Sequence, residues 1–326
     1  MRLIILRDAK PVEWLWLDRI PRGKLTLLDG DPGLGKTTLL LDVAARVSTG
    51  RPMPGLENGQ RNLVGDVLYI SAEDDEGDTL RPRLEAAGAD LDRVHLWADA
   101  ALPSLPDDVD RLAQLIVARD LALVVFDPIG PCLNGGLNTA RDAEVRQALA
   151  PLRGVCELTG TAAVLVRHLN KDGKSSNALY RGGGSIAFIA AARSALLAGK
   201  DPDDETRRVF AHTKANLGPL SESLGYRLTP VAVPGAGDQV HVEWLGAVEH
   251  SAEDLLGVRQ GRSENRDACD TWLPIRLNDG AVAFATLRAE AKERGWGERM
   301  LQRVAVELGV KMEREPKVAG GTLWSL

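Results

Sequence analysis

Gly30-Asp31-Pro32-Gly33-Leu34-Gly35-Lys36-Thr37 brings glycines, one lysine and one hydroxyl into a single short stretch. Glycines let a backbone curl until successive N–H groups face inward, which suits phosphate oxygens. A helix beginning at Lys36 would add its positive N-terminal end at the same spot. Lys36 then serves the β- and γ-phosphates of a nucleoside triphosphate, and the Thr37 hydroxyl is a ligand for magnesium. Thr38 completes the candidate set as the next helix residue. Hydrolysis demands more: a metal ion, a polarised water and a group that senses the γ-phosphate.

Three polar residues stand where apolar runs stop, and each could meet one of those demands. Asp127 closes Leu121–Phe126 and has the place of a magnesium-binding acid; a turn or helix-capping acid is the competing reading. Glu73 follows Asp66–Ala72 and could orient and deprotonate the attacking water. Asp74 is its nearest competitor, and a solvated helix start rich in acids would explain the whole cluster Glu73–Glu76 without chemistry. His168 closes Ala162–Val166 with Arg167; a neutral imidazole there could hydrogen-bond the γ-phosphate, and a buried structural histidine is the alternative.

The elements needed to position these groups can be read from the chain. Leu25–Leu28, Asp66–Ala72, Leu121–Phe126 and Ala162–Val166 are short apolar runs of the kind buried on both sheet faces. Helical stretches separate them: Lys36 to Val47, Asp78 to Ala87, Val109 to Ala118 and Ala140 to Leu158. Strands alternating with helices at this spacing predict a parallel sheet covered on both sides, with the ligand crevice at the strands' carboxyl ends. Later runs, Ala195–Ala198, Arg208–Lys214, Leu224–Leu228 and Val240–Trp244, read as an antiparallel edge, with Pro230–Gly237 as turn material. Trp14 and Trp16 alternate with leucines in the lead-in and are expected to pack rather than frame a base.

The chain has 326 residues, 44% hydrophobic and 26% charged, with net charge −6. That excludes a global basic field, so any nucleic-acid site must be local. One such island runs from Arg167 through Lys171 and Lys174 to Arg181 against the single acid Asp172. Three widely spaced cysteines, Cys132, Cys156 and Cys269, show neither metal spacing nor a disulfide framework, so a reducing cytoplasmic compartment is expected. No apolar run approaches the ~18 residues of a membrane span.

Taken together, the glycine loop, Ser71-Ala72-Glu73-Asp74-Asp75, the strand ending at Asp127 and His168-Leu169-Asn170-Lys171 resemble the RecA-like P-loop ATPases. Within them the order is most similar to the branch of RepA-type hexameric replicative helicases, with DnaB-type helicases more distant. The resemblance runs from about Val12 to Leu228. It implies ATP and Mg2+ as cofactors, Glu73 as catalytic base, Asp127 as the metal-binding acid and His168 in the sensor place where DnaB-type relatives carry glutamine. It implies Arg83 stacking on adenine, and Arg181 following a DNA-binding loop whose Lys171 and Lys174 hold single-stranded DNA in a central channel. It implies a homo-oligomer, a hexamer, with a replication initiator or primase as candidate partner. The family's trans-acting Lys/Arg pair falls at Lys214-Ala215-Asn216, where the arginine is missing; Lys214, Arg207, Arg208 and Arg193 are the candidates. A mobile-element helicase is the leading reading, and a nucleotide-gated DNA-binding regulator the second.

By this reading residues 1–23 are a lead-in, 24–250 the ATPase domain, 251–265 a linker and 266–326 a small winged helix-turn-helix domain. The last unit is predicted from helices at Ala268–Leu277, Ala283–Arg294 and Glu298–Leu308, plus a terminal hairpin. On the third helix Arg299, Gln302, Arg303 and Val306 share one side, with Leu301, Val304, Ala305 and Leu308 inward. That stripe suits a major-groove reader. Equal numbers of basic and acidic side chains from Ser251 to the end argue the other way, for a protein-binding module.

Overall fold

The computed structural model describes residues 11–56, 64–99, 101–135, 137, 141–168, 186–256, 260–278, 280–314 and 321–325. It separates into two compact units, residues 1–256 and 257–326.

The first unit opens with β1 (Trp14–Trp16) and β2 (Ile20–Pro21), a small antiparallel pair. Trp16 is fully buried, stacked on Phe210 at 5.3 Å and donating from Nε1 to the Pro54 carbonyl. It therefore packs as core. Next come β3 (Leu25–Gly30), α1 (Lys36–Thr49), β4 (Asp66–Ser71), α2 (Arg81–Ala86), β5 (Val94–Leu96), α3 (Val109–Arg119), β6 (Leu121–Asp127), α4 (Asp142–Thr159), β7 (Ala162–His168) and α5 (Ile186–Ala191). Four more strands follow: β8 (Ser194–Lys200), β9 (Arg208–Ala215), β10 (Ser223–Val233) and β11 (Gly237–Val248).

Nine strands form one sheet in the order β11-β10-β9-β8-β3-β7-β6-β4-β5. From β8 to β5 every pairing is parallel, and from β8 to β11 every pairing is antiparallel. Alternation along the central strands feeds two cores. Leu28, Val67, Tyr69, Leu123, Val125, Val164 and Val166 face the side covered by α1 and α2. Leu27, Leu68, Ile70, Val124, Phe126 and Leu165 face the side covered by α3, α4 and α5. Continuous apolar runs were legible because both faces of these strands are covered.

One local reading is corrected. The turn expected at Pro230–Gly237 is mostly strand, because β10 and β11 make one long hairpin closed by residues 234–236. Proline is tolerated there because β9 pairs with β10 only through Tyr226, leaving one edge of β10 without a ladder to break. The stretch 251–265, expected as a linker, contains the boundary between the two units and holds helix among its described residues. Ser251 caps α6 (Ala252–Leu255) with a reciprocal Ser251/Asp254 capping box, and α7 (Gln260–Leu277) begins inside the same stretch. Leu255 seats over Gly199, where a Cβ would fall 2.9 Å from its side chain. His250 reaches Asp201 at 3.3 Å and Asp203 at 3.0 Å, tying the end of this unit to the β8–β9 turn.

The second unit contains α7, β12 (Val282–Ala283), α8 (Phe284–Glu293), α9 (Glu298–Glu307), β13 (Lys311–Arg314) and β14 (Thr322–Ser325). Its sheet order is β12-β14-β13, all antiparallel. Helix α7 runs through Pro274, since Cys269, Leu273 and Leu277 bury one face of it. That packing outweighs one absent N–H. Leu301, Val304 and Ala305 of α9 are buried, but Leu308 is partly exposed where the helix ends. Among the described residues no helix is long and apolar enough to cross a membrane.

Candidate functional site

The parallel register brings the chemistry-bearing strand ends side by side. Gly30 pairs with His168 across β3 and β7, and Ser71 with Asp127 across β4 and β6. The order β3-β7-β6-β4 therefore lines up the glycine loop, His168, Asp127 and the segment leading to Glu73 along one edge.

The loop geometry follows from its glycines. Gly33 and Gly35 both have φ of +79°, a left-handed backbone that glycine adopts without strain. Gly30 meets a steric demand instead, since a Cβ there would lie 2.7 Å from the Ala198 carbonyl oxygen. Asp31 and Pro32 are exposed, whereas Leu34 is buried and its carbonyl accepts from the Tyr226 hydroxyl at 2.8 Å. Helix α1 starts at Lys36 with no side-chain cap and no acid in its first turn. Its first N–H groups and its dipole are thus directed to an anion at the loop. Thr38 is buried in the first turn behind them.

Lys36 points back across the loop. Its Nζ donates to the carbonyls of Gly30 (2.8 Å) and Asp31 (2.9 Å) and to His168 Nδ1 (3.1 Å). An ammonium only donates, so Nδ1 accepts and the His168 proton sits on Nε2. That nitrogen lies 3.7 Å from Glu73 Oε1. Burial pulls the Lys36 pKa below its ordinary value, opposed by the charges of Asp127, Asp31, Asp29 and Glu73.

Asp127 is buried at the end of β6, and Tyr69 donates to its Oδ2 at 2.6 Å. Burial pushes its carboxyl above the usual carboxylate range; hydrogen bonds from Tyr69 and Thr37 and the charge of Lys36 pull it back. A hydroxyl and a carboxylate, Thr37 and Asp127, are hard oxygen donors of the kind magnesium takes, so these residues fit that ion. Glu73 is mostly exposed, at 66% of its side chain. Asp74 also lies near the site, where after burial its charge helps raise the Asp127 and Tyr69 pKa values; its N–H donates to Ser71 Oγ at 3.0 Å, and its carboxylate sits 3.5 Å from Arg83 Nη1.

The remaining sequence candidates separate into three groups. Lys214 Nζ donates to the Ile189 and Ala192 carbonyls at the end of α5, and Arg207 pairs with the fully buried Asp201 side chain. Both are engaged within their own chain. Lys171, Lys174 and Arg181 lie outside the described residues. Arg299 and Arg303 fall on α9, with their side chains outside the description.

One member of the basic island is reassigned. Arg167 turns inward, is 6% exposed, and makes a two-pronged pair with Asp29 at 2.9 Å on each arm, under Phe188 at 5.2 Å. The alternation of β7 explains this: Arg167 occupies a core-facing position. Sequence reasoning also missed Tyr69 and Tyr226, whose hydroxyls touch the site from below and outside. An apolar run conceals a tyrosine's hydroxyl, and nothing in residue spacing reveals its target.

The family described as an AAA domain matches residues 5–174 of this chain, the stretch that contains the loop, Glu73, Asp127 and His168. The chain belongs to that family. The AAA domain here has a RecA-like P-loop fold, with a mostly parallel central sheet and an antiparallel edge. Similar curated proteins include DNA repair protein RadA of Halalkalibacterium halodurans, 31% identical over 153 residues, which is 46% of this chain and 29% of the relative. RadA of Mycobacterium tuberculosis is 30% identical over 152 residues (46% and 28%), and that of Bacillus subtilis 28% over 156 residues (47% and 30%). The match spans less than a third of the length of these relatives. It places this AAA domain among RecA-like ATPases.

Proposed function

We propose that this protein is an ATP-hydrolysing, RecA-like motor that acts on DNA. The observation that carries the reading is the convergence of Lys36, Thr37, Asp127, His168 and Glu73 on one edge of adjacent parallel strands, around the uncapped start of α1. In this reading the loop N–H groups and Lys36 bind the β- and γ-phosphates. Thr37 and Asp127 hold Mg2+, which would neutralise phosphate charge when bound. Glu73 takes the proton of the attacking water, and its exposure leaves it room to move toward the phosphate. His168, already bound to Lys36, senses the γ-phosphate when the lysine exchanges partners. Arg83, which pairs with Asp74, would stack on adenine.

The DNA part of the proposal is supported by likeness to proteins named for DNA repair. The finer reading is a hexameric replicative helicase of the RepA type from a mobile element, with Lys171, Lys174 and Arg181 on single-stranded DNA. The cis contacts of Lys214 and Arg207 favour Arg193, which is exposed before β8, as the residue offered to a neighbouring site. ATPase rate with and without single-stranded DNA tests this directly. Stimulation supports the motor; intact ATP turnover indifferent to DNA argues against it.

A second reading has its own observation. The helix, strand, helix, helix, hairpin order of the second unit supports a winged helix-turn-helix reading, with Arg299, Gln302 and Arg303 on α9. In that case ATP gates a DNA-binding regulator. Sequence-selective gel shifts of duplex DNA, abolished by Arg299→Ala with Arg303→Ala, would favour the regulator; their absence would favour the motor.

A further inference from the structure

Tyr69 sits on β4 facing α1, with none of its side chain reaching solvent. Filling that space would take only a phenyl ring. The hydroxyl adds something specific: it donates to Asp127 Oδ2 at 2.6 Å, and the Thr37 hydroxyl lies close enough to influence both groups. Register explains how the three meet. Tyr69 pairs with Val125 and Ser71 with Asp127, so the phenol and the carboxylate project from one face of neighbouring strands, below the start of α1.

We propose that Tyr69 is a positioning residue for the divalent cation: its hydroxyl holds the Asp127 carboxylate toward Thr37, setting both oxygen donors before nucleotide arrives. This rests on the reading of the pocket as a magnesium–nucleotide site. Buried phenol hydroxyls find acceptors, and this one finds the carboxylate assigned to the metal. Outer partners that orient metal ligands typically carry about 10- to 100-fold in metal affinity. The same residue also stands two positions before the end of β4 at Ser71, and four before Glu73.

The test uses the full chain as wild type, Tyr69→Phe and Thr161→Val. The last is the control: it deletes a buried hydroxyl of the same unit, one that donates to the Leu121 carbonyl at the opposite end of β6. Fluorescent-ADP affinity is measured in EDTA, and Mn2+ affinity of the ADP complex by electron paramagnetic resonance. Tyr69→Phe should keep metal-free ADP affinity within about twofold and weaken Mn2+ roughly 10- to 100-fold, with Thr161→Val leaving Mn2+ unchanged. Unchanged Mn2+ affinity in Tyr69→Phe, or equal losses in both variants, overturns the inference. Wild-type protein that retains no ADP overturns the nucleotide-site reading beneath it. Should Tyr69→Phe fail to fold, wild-type protein carrying 13Cζ-tyrosine replaces it. Adding Mg2+ to the ADP complex should move the Tyr69 resonance more than that of Tyr226, and a stationary Tyr69 signal overturns the proposal.

Discussion

The parallel and antiparallel halves of the large sheet approach the glycine loop in different ways. The parallel strands contribute from their ends: His168, Asp127 and the segment to Glu73 stand beside Gly30 because parallel register aligns carboxyl termini. The antiparallel strands contribute from their sides. Tyr226 of β10 holds the Leu34 carbonyl, Leu228 covers Gly35, and Trp244 of β11 donates to Asp42 of α1 at 2.8 Å. One half supplies groups that could react; the other shapes the backbone that would receive phosphate. Reactive groups must be polar and sit at strand ends, whereas supporting groups are apolar bodies with a single polar tip.

Predictions follow that contrast by size. The largest concerns the seam within the parallel half, where Arg167 and Asp29 join β7 to β3. Arg167→Ala leaves a buried carboxylate uncompensated and should cost about 3–5 kcal/mol. Urea denaturation measures it; a loss below 1 kcal/mol would mean the pair only decorates the strands.

In the antiparallel half, His212 of β9 is buried between Ser194 Oγ and the Ser221 N–H. Desolvation first, and the Arg19 charge second, lower its pKa from 6.5 to about 4. The folded state thus resists protonation. The stability that follows is full above pH 6.5 and declines as pH falls through that value toward 4, by roughly 3 kcal/mol at most. Urea midpoints from pH 7.5 to 4.5 should slope accordingly, and His212→Gln should flatten the slope. An equal slope in both proteins would assign the effect to other groups.

Where the halves meet, Gly35→Ala places a methyl 2.6 Å from Leu228 Cδ1 at a φ of +79°. The left-handed backbone alone costs about 1–2 kcal/mol, and Leu228 must also move. Adding Leu228→Ala should return only the steric share in a double-mutant cycle of melting curves. Strict additivity would show that the hairpin does not press on the loop.

Much of this was legible because particular residues have few alternatives. Gly33 and Gly35 need positive φ, and the runs ending at Asp127 and His168 must be covered on both faces. Arg167 was misassigned because charge suggests surface, while its position in β7 directs it to Asp29. Pro230 suggested a turn because single-sequence reading cannot tell that β10 lies open on one side there. The seat of Leu255 on Gly199 depends on residues far apart in the chain, which local pattern does not connect.

Hydrolysis by the Glu73→Gln protein tests the central claim most directly. Nucleotide binding should stay within about threefold of wild type while turnover falls at least roughly 100-fold, as expected when a general base is neutralised without altering shape. Wild-type turnover in Glu73→Gln, or the same selective loss in Asp74→Asn instead, would contradict the account.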